Sequence, residues 1–252
     1  MIRLVSCGIG NARDKEIIPC ARKDAEVIYD SFQRLFPNFD NCYSITLHNA
    51  TSDEFKKAVQ NAAKGLKGSD VLVIYFSGHA ADYTGDGIKL LFYGGESDVF
   101  FSNHLLDETL SECNKLLILD CCHAGGAASL ANYKPLQHKK FFILATTSSF
   151  RPAEFGESIS PFTQRLVNSL DELDSTNHKI SVVSINRTLK KNGDTKSKVA
   201  IPVGNEDLIL KSAVSTAGNT EFLATFWSKL STLPSPHAGK YVVCAWLKQP
   251  WL

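Results

Sequence analysis

KLLILDCCHAGG, from Lys115 to Gly126, is the stretch on which the fold turns. A short apolar run, Leu116 to Leu119, has the length of a buried strand and stops at Asp120. Two cysteines, His123, Ala124 and two glycines follow. A strand that ends on a carboxylate, thiols and a glycine turn sets polar, reactive groups at the edge of a core. In open α/β sheets that edge is where ligands bind.

A second stretch of the same kind lies upstream. Asp70 to Phe76 (DVLVIYF) is the most continuous β-branched and aromatic run in the chain, and it predicts a central strand ending at Ser77-Gly78-His79. Ile2 to Ile9 and Phe141 to Thr146 read as further buried strands, Tyr43 to Leu47 as a short one and Ile88 to Tyr93 as an edge strand, with Tyr83 to Gly87 as a loop before it. Leu208 to Leu210 reads as the last strand. Between them, Ala21, Ala25, Ile28, Phe32 and Leu35 recur at helical spacing. Thr51 and Glu54 form a capping box ahead of Phe55, Val59, Ala62 and Leu66. Leu105 to Leu110 reads as a short helix. Ser160-Pro161 supplies a cap and a first-turn proline before Phe162, Leu166, Leu170 and Leu173, and Val182, Ile185 and Leu189 mark one more helix. This order predicts an α/β fold: a mostly parallel sheet with helices on both faces.

The pattern weakens after Ser212. Phe222 to Leu230 suggests a helix and Tyr241 to Leu247 a strand, with Pro234 and Pro236 between. The expected organisation is therefore a main domain over residues 1–211 and an extension over 212–252. Two of the three tryptophans, Trp246 and Trp251, fall at its end. The extension either packs on the domain or docks a partner.

Composition narrows the function classes. Of 252 residues 44% are hydrophobic, enough for a sizeable core, and the formal net charge is +1. The basic residues are scattered, so neither nucleic acid nor a membrane surface is an expected partner. No run reaches the roughly 18 apolar residues of a membrane span, and Met1 leads into a strand pattern and not a signal peptide. Seven cysteines, an odd number in mostly apolar surroundings, suit reduced thiols in a cytoplasm better than a disulfide framework.

The chemistry lies in the two strand ends, SGHA at 77–80 and DCCHAGG at 120–126. If the strands are neighbours, His79 and a cysteine of the second turn face each other across one crevice. A thiol beside an imidazole is a nucleophile–base arrangement, and nearby glycines allow close backbone approach and N–H donors for an oxyanion. Alone, a histidine after a strand is more often structural, and a Cys-Cys pair more often fills a core; it is their conjunction that points to catalysis. Adjacent Cys and His without a second pair at metal spacing are a weak zinc signal. There is no C-x-x-C, phosphate-binding loop or serine elbow.

YFSGHA (Tyr75 to Ala80) and LILDCCHAGG (Leu117 to Gly126) resemble the paired motifs of caspase-like cysteine peptidases, above all the metacaspase and bacterial branches. The histidine and second cysteine stand 43 residues apart, near the roughly 50 of the caspase signature. ARKDA at 21–25, ATTSS at 145–149, SPFT at 160–163 and IPVGNEDLIL at 201–210 resemble further family segments, so the likeness spans about residues 1–211.

The resemblance implies a three-layer sandwich and a thiol endopeptidase acting through a Cys-His dyad. Cys122 matches the nucleophile and His79 the general acid/base, while Cys121 stands where the family has a small packing residue. Backbone N–H groups of Ala80 and Cys122 match the oxyanion donors. Asp24, Ser77 and Asp120 match the pocket for a basic P1 side chain, where two carboxylates suit an Arg or Lys head. The implied partner is a protein substrate with a basic cleavage site, and a separate protein is expected to gate the enzyme or serve as its substrate, as in bacterial defence systems. No acidic cluster of the calcium-binding kind is present, so neither a metal nor another cofactor is expected. Basic residues between Lys190 and Lys198 are candidates for self-processing. One departure is Ala80, where the family has glycine. With the tryptophan-bearing C-terminus, it keeps a catalytically inactive scaffold of the same fold open as the alternative.

Overall fold

The computed structural model describes residues 1–12, 15–83, 87–95, 97–100, 113–124, 141–146, 158–194, 197–200 and 207–213. The strands are β1 (Ile2–Ile9), β2 (Ile45–His48), β3 (Val71–Gly78), β4 (Ala80–Tyr83), β5 (Gly87–Leu91), β6 (Ser97–Phe100), β7 (Asn114–Cys121), β8 (Phe141–Ala145), β9 (Ile180–Ser181), β10 (Lys198–Ala200) and β11 (Ile209–Lys211). The helices are α1 (Ala21–Leu35), α2 (Ser52–Ala63), α3 (Pro161–Ser175) and α4 (Val182–Lys191). A six-stranded sheet has the order β10-β8-β7-β3-β1-β2. Its strands from β8 to β2 run parallel, and β10 closes the edge antiparallel to β8.

Strand alternation sorts the core into two layers. Val5, Cys7, Ile74, Phe76, Leu117 and Leu119 point to one face and pack with Phe55, Val59 and Ala62 of α2. Leu4, Val73, Tyr75, Leu116, Ile118 and Leu144 point to the other, against α1, α3 and α4. Burial on both faces is why β3 reads as an unbroken apolar run from Val71 to Phe76. Each large apolar side chain in such a strand contributes about 1.5–3 kcal/mol on burial, so β3, buried along its whole length, is the axis of the domain.

The helices begin where local chemistry starts them. Thr51 accepts the Glu54 N–H, and the Glu54 carboxylate accepts from the Thr51 backbone, closing the capping box of α2. Ser160 caps α3 by accepting from Thr163 N–H, with Pro161 in the first turn. Gly8 sets the seat of α1: a Cβ there would stand 2.1 Å from the Ala21 carbonyl oxygen. Only a bare backbone lets the start of α1 sit against the end of β1.

Several expectations need correction. β3 and β7 run on through Ser77-Gly78 and Asp120-Cys121, so these residues belong to the ladder itself. The short strand read at Tyr43 to Leu47 lies at Ile45–His48. Tyr83 to Gly87 is not simply a loop, since Tyr83 closes β4 and Gly87 opens β5. The edge strand read at Ile88 to Tyr93 is β5, the middle strand of a separate antiparallel sheet, β4-β5-β6. The last strand of the main sheet is β10; the Leu208 to Leu210 segment becomes β11 and pairs with β9 in a two-stranded sheet. Strands of two to four residues such as AADY and KVA carry too few alternating apolar positions to announce themselves.

The chain divides into two compact units, Met1–Ser212 and Ala213–Leu252. Beyond Ala213 the second unit lies outside the described residues, as do the expected elements at 222–230 and 241–247 and the helix expected at 105–110. Among the described residues, no helix is long and apolar enough to cross a membrane, and no group of three or more His, Cys, Asp or Glu side chains is arranged to hold a metal ion.

Candidate active site

β3 and β7 are adjacent and in register, with Ser77 opposite Asp120 and Gly78 opposite Cys121. The next residue on each strand is His79 on one side and Cys122 on the other. The topology thus brings both strand-end motifs to the carboxyl edge of the sheet, and both side chains are half-buried. Cys121, by contrast, is fully buried on the α2 face. Burial, with the charges of Asp120 and Cys122 adding to it, pushes the Cys121 thiol well above its ordinary range and leaves it inert. His123, next after Cys122, has φ 58°, in the left-handed region that non-glycine residues seldom enter. Such a conformation costs of order 1–3 kcal/mol and gives the chain a sharp turn just past the thiol.

His79 is oriented by a backbone group. Its Nε2 lies 2.6 Å from the Glu16 carbonyl oxygen. A carbonyl only accepts, so Nε2 carries a proton toward Glu16. Ala80, on the far side of His79, opens β4. Leu91 N–H donates to the His79 carbonyl at 3.1 Å, and Ala80 pairs with Leu90. By antiparallel alternation Ala80 occupies a non-hydrogen-bonded position, so its N–H turns away from β5. Among the described residues, positive φ at non-glycine positions is confined to Asn49, His123 and Asn177. Alanine therefore meets no backbone strain at position 80.

Alternation also turns Ser77 and Asp120 to the face covered by α1 and α3. There Ser77 Oγ donates to Asp24 Oδ2 at 2.8 Å. The Ser160 N–H donates to Asp24 Oδ1 at 2.7 Å, and its hydroxyl donates a short bond to Asp120 Oδ2. Thr163 Oγ1 donates to the same Asp120 oxygen at 3.0 Å and lies 2.6 Å from the Tyr75 hydroxyl. Since the Thr163 proton is directed at Asp120, Tyr75 is the donor to Thr163. Burial, the largest influence, holds the Tyr75 phenol well above its ordinary range and keeps that proton in place. Asp24, Ser77 and Asp120 all have 0% exposure.

Two carboxylates so close and so dry do not ionise freely. Burial, first, pushes Asp120 up to about 7; the Ser160 and Thr163 hydroxyls pull it back, while the charges of Asp24 and Asp194 add to the rise. Asp24 is raised too, again by burial first, against hydrogen bonds from Ser160, Ser77 and Cys20. Asp120 Oδ1 is buried and has no hydrogen-bond partner among the described residues, an arrangement that in a carboxylate calls for a donor from elsewhere.

Sequence reasoning does not single out Ser160 beyond its cap, nor Thr163, Tyr75 or Glu16 as site components. The spacing of SPFT holds Ser160 and Thr163 on one helix turn, a signal that is present. Glu16 acts through its carbonyl, which no side-chain pattern announces.

The family profile described as the caspase domain (Peptidase_C14) matches residues 9–205. The chain belongs to this family, which is that of caspase-type cysteine peptidases. No curated protein sequence matches it significantly. Among solved structures it is similar to caspase-1 of Spodoptera frugiperda, at 15% identity and a TM-score of 0.58, covering 84% of this chain and 91% of that one. It is also similar to protein GSU0716 of Geobacter sulfurreducens, at 17% identity and a TM-score of 0.56, covering 79% and 91%. At these identities the likeness establishes the shared fold: a mostly parallel central sheet between helical layers.

Proposed function

We propose that this protein is a cysteine endopeptidase that cleaves protein substrates after Arg or Lys through a Cys122–His79 dyad. Cys122 Sγ attacks the scissile carbonyl carbon while its proton passes to His79 Nδ1. The N–H groups of Ala80 and Cys122 hold the oxyanion. His79 then protonates the leaving amine, the C–N bond breaks, and a thioester to Cys122 remains. Water adds to the thioester with His79 as base, releasing the carboxylate and restoring the thiol. The Glu16 carbonyl supports this role by keeping the imidazole in the required tautomer.

The observation that supports the basic preference is the buried pair Asp24 and Asp120, bridged by Ser160, with one Asp120 oxygen unpartnered among the described residues. Neither a neutral nor an acidic P1 side chain answers two carboxylates; a guanidinium or ammonium does. Because these side chains are closed to solvent, a substrate enters only after what covers them is displaced. That supports control by a trigger or a separate regulatory protein. The alternative of an inactive scaffold loses one of its two motives, since Ala80 adopts a backbone that leaves its N–H turned away from β5.

The test is hydrolysis of fluorogenic peptides ending in Arg, Lys, Gln or Asp by wild type and Cys122→Ala. Turnover of the Arg and Lys peptides alone, absent in the variant, is expected. Equal inertness of both proteins with every activator and partner tried, or preference for Asp, overturns the proposal.

A further inference from the structure

Ser160 is the one described residue bonded to both pocket carboxylates. Its N–H holds Asp24 Oδ1 and its hydroxyl holds Asp120 Oδ2. The same hydroxyl accepts from the Thr163 N–H at 3.0 Å, which fixes its rotamer and so directs its proton to Asp120. Thr163 Oγ1 adds a second donor to that oxygen. Asp24 has both oxygens engaged, by Ser160 and Ser77. Asp120 has one oxygen carrying two hydroxyls and one, Oδ1, buried with none among the described residues.

We propose that Ser160, with Thr163, is a positioning residue for basic-P1 recognition: it turns Asp120 so that Oδ1 is the acceptor for the P1 cation, while Asp24 fixes the pocket wall. This rests on the basic-P1 reading above. It divides labour between two carboxylates that the motif alone treats alike. The start of α3 suits the task, because a helix N-terminus stabilises nearby negative charge and its cap hydroxyl is already held. Ser160 touches no reacting atom in this account, so its loss changes substrate binding and leaves the thiol chemistry alone.

The experiment compares wild type, Ser160→Ala, Ser160→Thr and Thr163→Val on a peptide ending in Arg and on the same peptide ending in citrulline, the neutral isostere. Iodoacetamide alkylation of Cys122 and the melting temperature are measured in parallel. Loss of a hydrogen bond to a charged group predicts that Ser160→Ala and Thr163→Val each raise KM for the Arg peptide roughly tenfold or more, with kcat within about twofold. The citrulline peptide and the alkylation rate should change little, and Ser160→Thr should restore the Arg preference. If Ser160→Ala does not fold, Thr163→Val decides by the same criteria. Unchanged Arg selectivity in the variants, or equal losses on both peptides, overturns the assignment while leaving the basic-P1 reading intact. A wild type that cleaves no Arg or Lys peptide defeats that reading and this inference with it.

Discussion

Ser77 and Asp120 are register partners on the adjacent parallel strands β3 and β7, and both turn to the face covered by α1 and α3. Gly78 and Cys121 form the next and last register pair, and His79 and Cys122 follow directly after it, two residues past Ser77 and Asp120. The proposed pocket thus lies on the ladder whose end leads into the proposed dyad, and whatever fixes the ladder bears on both.

Asp120 should make stability pH-dependent. In the folded chain its carboxyl titrates at about 7, against 3.8 ordinarily. Between those values the folded state holds a proton that the unfolded chain has lost, so stability falls as pH rises through this window. Asp120→Asn carries no charge to bury and lacks this loss. Denaturation at pH 5 and pH 8 should show the variant gaining on wild type at pH 8 by roughly 1–4 kcal/mol, since one proton held across one pH unit is worth about 1.36 kcal/mol. An unchanged difference between the two proteins would contradict a raised Asp120.

The two cysteines should separate cleanly. Cys121 is fully buried, so Cys121→Ala should lower stability by about 1 kcal/mol, the scale of one buried methylene-sized group, and keep activity. Cys122→Ala should keep stability and abolish turnover. Melting curves and peptide hydrolysis on both variants check this, and the reverse pattern would move the nucleophile.

His79→Ala should fold as wild type and lose roughly 10²–10⁴-fold in kcat, the usual share of a general acid/base. Steady-state kinetics with an Arg-ended peptide measures it. A loss below tenfold would mean that another group handles the proton.

Gly8→Ala should be costly although it adds one methyl. The Cβ would lie 2.1 Å from the Ala21 carbonyl oxygen, so α1 must shift and carry Asp24 with it. Overpacking of this kind costs about 1–3 kcal/mol. A parallel fall in Arg-peptide affinity is expected, because Asp24 moves with its helix. Thr51→Ala, by loss of the α2 cap, should cost about 1 kcal/mol without touching P1 affinity.

Much of this is legible in the amino-acid sequence. The apolar faces of α1, α3 and α4, the Thr51 capping box and the central strands follow from spacing, because long periodic elements buried on known faces leave strong patterns. The two strand-end motifs and the residues of the carboxylate pocket are also readable from their likeness to a family. What stays hidden has no side-chain signature. β4, β6 and β10 exist because hairpin or edge partners complete their hydrogen bonds, not because four residues alternate. The Glu16 carbonyl and the Ala80 N–H belong to the backbone. Ser160 is visible as a cap but not as a bridge between Asp24 and Asp120, since the bridge depends on α1, α3 and β7 meeting.

The most direct test of the account is covalent capture by an Arg-ended chloromethylketone, mapped by peptide mass spectrometry, with an Asp-ended reagent as control. The account predicts rapid, stoichiometric modification of Cys122 by the Arg reagent, with the other six cysteines unmodified, slow reaction with the Asp reagent, and no capture by Asp120→Asn above the rate of a neutral reagent. Modification spread over several cysteines, or at Cys122 with no preference between the two reagents, would contradict it.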